Sequence, residues 1–124
     1  MKLAEPRERR FESFRNWLRN QGRLGELAIG SAVNRAKRVE RGLRIMTGDI
    51  DLDVAYQRDG LRGLLRLFNY TIDDVHDKKE PPQGIAFRFG RNEPRYYERV
   101  QDVLDDLKKA IKQYRDFCDE MVMR

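Results

Sequence analysis

The chain has 124 residues, 40% hydrophobic and 38% charged, with 26 Lys/Arg against 21 Asp/Glu and a net charge of +5. That length suits one compact domain with a real core, and no apolar run approaches the roughly 18 residues of a membrane span. A single cysteine, Cys118, and a single histidine, His76, exclude an intrachain disulfide, a cysteine-based zinc site and a two-histidine nuclease motif.

The first helix is expected over about residues 6–21, with Pro6 in its first turn and Gly22 as its stop. Phe11, Phe14 and Leu18 share one face, and Trp17 lies at its edge. Three aromatics on one helix read as core, although Trp17 could stack on a base instead. Arg9, Arg10, Arg15 and Arg19 take the other faces. Residues 22–30 hold three glycines and read as a turn, with Leu24, Leu27 and Ile29 tucked inward.

A second helix is expected over residues 31–45, N-capped by Ser31. Ala32, Ala36, Val39 and Leu43 recur at helical spacing and form its apolar face. Asn34, Lys37, Arg38, Arg41 and Arg44 fall on roughly the opposite face, a row of cations open to an anionic partner. Gly42 weakens the last turn by about 1 kcal/mol relative to Ala.

Asp49, Asp51 and Asp53 alternate but do not make a calcium loop. Such a loop needs Gly at its sixth and Glu at its twelfth position, and counting from Asp49 those are Val54 and Gly60. The acids suit the start of a short helix at 52–58, whose inward side would be Leu52, Ala55 and Tyr56. Asp59 can cap a further helix at 60–68, with Leu61, Leu64, Leu65 and Phe68 inward. Arg58, Arg62 and Arg66 then form a second basic row on its outer side.

Residues 69–93 read as an irregular insertion. His76 with Asp73, Asp74 and Asp77 has the elements of a metal site but no defined scaffold, so a solvated loop is the simpler reading and no metal or cofactor is expected. Residues 84–90 alternate over a short run and either pair as a hairpin arm or lie over the core. The final helix, 94–121, is the clearest. Tyr97, Val100, Leu104, Leu107, Ile111, Tyr114, Cys118 and Met121 are spaced 3 and 4 alternately, with Pro94 in the first turn and Asn92 or Glu93 as cap. In so short a chain this stripe closes the domain's own bundle more readily than it makes a dimer.

The pattern predicts an all-α fold closed by a long C-terminal helix. Charge is uneven along it. Residues 1–48 carry 12 Lys/Arg against 5 Asp/Glu, and residues 49–124 carry 14 against 16. One electropositive side is therefore expected, suited to phosphate backbones or an acidic protein. Residues 2–10 are too charged for a signal peptide, so the expected location is the cytoplasm. No glycine-rich phosphate loop, G-x-S-x-G elbow or H-E-x-x-H occurs, and no nucleophile or base has an evident orienting partner. The chain reads as a non-enzyme.

Several segments together resemble a known module: F-x-x-W-L at Phe14, Trp17 and Leu18; S-x-x-x-R-x-K-R-V-E over residues 31–40; G-D-I-D over 48–51; R-D-G-L-x-x-L-L over 58–65; and L-K-x-A-I-K-x-Y-x-x-F-C over 107–118. This resembles the SAM-like helical module of the N-terminal, core-binding type in tyrosine recombinases (phage integrases), related to segments ahead of nuclease domains in restriction-like bacterial proteins. The resemblance implies a phage or bacterial protein with a compact four- to five-helix orthogonal bundle that grips duplex DNA from one side. The recombinase catalytic arginines, histidine and tyrosine have no counterpart here, and the insertion at residues 73–90 departs from the compact module.

The expected function is thus a non-catalytic module gripping duplex DNA through Asn34, Lys37, Arg38, Arg41 and Arg44, with Arg62 and Arg66 as a second row. The alternative is a protein-interaction module, such as a small phage-encoded inhibitor of a host nucleic-acid-handling or defence complex, using the same face on an acidic partner. A monomer is favoured over a dimer through 94–121.

Overall fold

A computed structural model describes residues 7–123. The fold is all-helical: α1 Arg7–Gln21, α2 Glu26–Arg41, α3 Leu43–Met46, α4 Leu52–Asp59, α5 Arg62–Leu67, α6 Ile72–His76 and α7 Tyr96–Val122. Pro6 lies outside the described residues. No strand occurs among the described residues, and no helix is long and apolar enough to cross a membrane.

The long α7 is the wall on which the other helices lean, packing against α1, α2, α4, α5 and α6. Its predicted stripe faces inward: Val100, Leu104, Leu107, Ile111, Tyr114 and Cys118 are buried, with Tyr97 and Met121 half-buried. Tyr96, Ala110 and Phe117 join them, which makes the apolar face too broad for a bare heptad seam and suited to several neighbours at once. Against it lie Phe11, Phe14 and Leu18 of α1 and Ala32, Ala36 and Val39 of α2, all buried. Trp17 packs on Phe14 and Phe117 and donates its indole N–H to Glu120, so its ring belongs to the bundle. Burial pushes the Cys118 thiol well above its ordinary range, leaving an unreactive apolar filler.

Several helix ends differ from the sequence expectation. α2 starts at Glu26, with Gly25 as an extended N-cap lacking a side-chain bond, so Ser31 is an exposed mid-helix residue. The glycine-rich turn is accordingly shorter. Ile29 is buried and Leu24 half-buried, while Leu27 is 92% exposed. α2 stops at Arg41, and α3 follows after Gly42 as a separate short piece. α5 begins at Arg62, because Gly60 and Leu61 both take the left-handed conformation. Asp59 still serves its N-terminus, accepting from the Gly63 N–H at 3.0 Å. α7 is led by Arg95, not by Asn92 or Glu93. Within the insertion, α6 forms through a reciprocal capping box in which Thr71 accepts from the Asp74 N–H and Asp74 from the Thr71 N–H. The run at 84–90 lies over the core unpaired. Ile85 is buried and Phe87 and Phe89 half-buried, while Ala86 and Arg88 face out.

The largest departure is a charged cluster inside the bundle. Arg10, expected on an outer face, is 5% exposed. Its guanidinium bonds both Glu40 carboxylate oxygens at 3.0 and 3.2 Å and reaches the Tyr114 hydroxyl at 3.3 Å. Tyr114 in turn donates to Asp53 at 2.7 Å, and Glu40 accepts from the Leu52 N–H at 3.0 Å, a group that α4 itself cannot satisfy. Asp53 is buried here, while Asp51 does the capping by accepting from Val54 at 2.8 Å. Burial pushes the Asp53 carboxyl up, opposed by Tyr114 and Arg10. Its second oxygen has no hydrogen bond among the described residues and faces Arg10 at 3.6 Å.

Removing one member of such a set strands the others. Arg10→Met is expected to lower the unfolding free energy in urea by about 3–5 kcal/mol, and Tyr114→Phe by about 1–3 kcal/mol. An Arg10→Met protein as stable as the parent would contradict this arrangement. Outside the cluster, the Arg58 guanidinium holds the Asp49 carboxyl below its ordinary value, against burial and with help from Thr47. Its stabilisation is complete above the unfolded carboxylate value of about 3.9 and is lost as pH falls through the lowered folded one. Thermal melts of the parent and Asp49→Asn should therefore differ at neutral pH, the parent being the more stable. The gap should narrow on acidification towards about pH 2, and a constant gap would refute the linkage.

Candidate nucleic-acid interface

The inward side of α2 is fixed by Ala32, Val33, Ala36 and Val39, so Asn34, Arg35, Lys37, Arg38 and Arg41 are left towards the surface. What stands opposite them depends on Gly42. A Cβ on Gly42 would lie 2.0 Å from the Gly84 carbonyl oxygen, and one on Gly84 would lie 2.8 Å from the Gly42 oxygen. Gly84 also has φ +103, which a side chain would strain. Only two glycines allow this approach. It brings the 84–88 segment onto the end of α2, where buried Ile85 anchors it and the Arg38 guanidinium donates to the Ala86 carbonyl.

The segment carries Arg88 back towards α2. Asn34, Arg35, Lys37, Arg38, Arg41 and Arg88 together line an open cleft of about 420 Å³. A second hollow of about 270 Å³ shares Arg38, Arg41 and Arg88 and continues to Gly84, Ala86 and Phe87. Among the described residues no carboxylate lines either one. Arg35 pairs with Asp106 at 3.5 Å, and Lys37 lies over the Phe11 ring at 5.8 Å. No ion pair among the described residues uses Arg41 or Arg88. Partial burial, then the nearby Arg88 and Arg41 charges, draw the Arg38 guanidinium below its ordinary value. An arginine remains charged even so, and an anion between the three would relieve the repulsion.

The chain matches no family model, and no curated protein or solved structure matches it.

Of the residues expected from spacing, Asn34, Lys37, Arg38 and Arg41 meet in the cleft, while Arg44, Arg62 and Arg66 are exposed but do not line it. Arg58, from the second basic row, is held by Asp49 at 2.7 Å and Asp59 at 3.2 Å. Arg35, Phe87 and Arg88 are cleft residues that spacing does not single out. The alternation of residues 85–89 does place Arg88 outward, but its return to α2 follows from the Gly42–Gly84 contact. Among the described residues, no group of three His, Cys, Asp or Glu is placed to hold a metal ion.

Gly42→Ala should force the 84–88 segment off α2, at a cost of about 1–3 kcal/mol as for other overpacked sites. Limited proteolysis should then cut within residues 81–90 faster than in the parent, and unchanged cleavage would contradict the close contact.

Proposed function

We propose that the chain is a non-catalytic nucleic-acid-binding module that grips duplex DNA through the cationic cleft on α2. The observation that carries this reading is the cleft's lining, which among the described residues is five cations and an amide with no carboxylate. Such a surface is costly to assemble unless an anion neutralises it, and a phosphate backbone offers negative charge at regular spacing. Asn34 adds an uncharged donor suited to a phosphate oxygen. The open form of the cleft and its row of like charges favour backbone contacts over sequence readout. The resemblance to the core-binding module of tyrosine recombinases points the same way.

An acidic protein partner is the second reading. It is favoured by Ile45 and Ile50, 67% and 62% exposed, of which Ile45 flanks Gly84 at the cleft's edge. A phosphate backbone has no use for such side chains, whereas a protein interface does.

Fluorescence anisotropy with a labelled duplex at several salt concentrations tests the main reading. Affinity should fall steeply with salt, and the charge reversals Arg38→Glu and Arg41→Glu should each weaken binding and flatten the salt slope by about 1. Salt-insensitive binding, or binding indifferent to these changes, would refute it. A host-lysate partner retained by the protein after complete nuclease digestion, with no duplex binding, would favour the second reading.

A further inference from the structure

The two hollows beside α2 differ in a way that phosphate contacts alone do not explain. The larger is bounded by charge and an amide. The smaller shares Arg38, Arg41 and Arg88 and adds the uncharged Gly84, Ala86 and Phe87. At about 270 Å³ it lies just below the usual range of small-ligand pockets, and it suits one compact unit better than a continuous double helix. Its lining combines three guanidiniums with an aromatic ring and two small uncharged residues. A nucleotide has the matching combination, a phosphate and a flat π-faced base.

Phe87 is well supported for such a contact. Its ring centroid lies 5.4 Å from that of Phe89, which meets Tyr96 edge-on at 5.6 Å and carries the Arg99 guanidinium 4.2 Å above its ring. The segment is further pinned by buried Ile85 and by the Arg38 bond to Ala86. An aromatic held this way loses little freedom when a base is laid on it. Trp17, the residue whose type best suits stacking, is already packed between Phe14 and Phe117.

We propose that the smaller hollow receives one unpaired nucleotide adjoining the duplex, with its phosphate among Arg38, Arg41 and Arg88 and its base against Phe87. This rests on the nucleic-acid reading above and adds a preference to it. The protein would favour a duplex with a single-stranded extension over a blunt one.

Anisotropy titrations at one salt concentration with three DNAs test it: a blunt duplex, the same duplex with a short base-bearing overhang, and the same overhang with abasic residues. The base-bearing overhang should bind at least about fivefold more tightly than the abasic one, as expected for a stacked base, and the abasic overhang, which keeps its phosphates, should lie between it and the blunt duplex. Phe87→Leu, which keeps apolar bulk but loses the ring, should collapse the ratio of base-bearing to abasic affinity towards one. Phe87→Tyr should keep it. Equal affinity for base-bearing and abasic overhangs, with the blunt duplex still bound, would overturn this proposal and leave the backbone reading standing. A ratio that survives Phe87→Leu would also overturn it. If that variant does not fold, the comparison of the two overhangs on the parent protein decides alone. Failure to bind any of the three DNAs would overturn both readings.

Discussion

The fold turns on Arg10. One guanidinium at the centre of the bundle joins α1 to Glu40 of α2, Asp53 of α4 and Tyr114 of α7, and Glu40 also caps the first N–H of α4. Buried charges persist only when paired and hydrogen-bonded, and here each charged member has at least one such partner. The arrangement also shapes the surface. Glu40 is the only acid in the second half of α2, and it is turned inward, with Arg7 covering its outer side at 3.0 Å. Lys37, Arg38 and Arg41 are therefore left without the neighbour that would otherwise neutralise them. The interior ion set and the exposed cationic face are two results of one placement.

A second constraint completes the cleft. The glycine pair at positions 42 and 84 ends α2 and docks the 84–88 segment in the same contact. Helix geometry alone would give a convex cationic ridge; the docked segment makes it concave and adds Arg88. Convergent cations in a concave, partly desolvated setting bind an anion more strongly than the same charges spread over a ridge, because less of their field is screened by water.

The parts of the fold legible in the sequence were those written as periodicity. The stripe from Val100 to Cys118 and the Ala32, Ala36, Val39 and Leu43 face are buried as their spacing requires. Helix starts were less legible. Ser31 has the stronger capping side chain, but Gly25 and Glu26 extend the helix a turn and a half earlier, and tertiary packing of Ile29 outweighs cap preference. The capping box at Thr71 and Asp74 is present in the sequence but hidden by its charged, proline-flanked surroundings. Arg10 and Asp53 ran against the general rule that charged side chains stay outside, since their burial depends on partners 30 to 104 positions away. Of the candidate site, the α2 residues were readable from one helix, whereas Arg88 and Phe87 depend on a backbone contact between distant glycines that no local pattern encodes.

We propose that nucleic acid sits in the cationic cleft between α2 and the 84–88 segment. Titrating ¹⁵N-labelled protein with an unlabelled duplex and following backbone amide shifts tests it most directly. Progressive shifts are expected at Asn34, Arg38, Arg41 and residues 84–88, with little change at Arg62 and Arg66 on α5. Shifts centred on α5 or on the outer face of α7, or none at all at low salt, would contradict it.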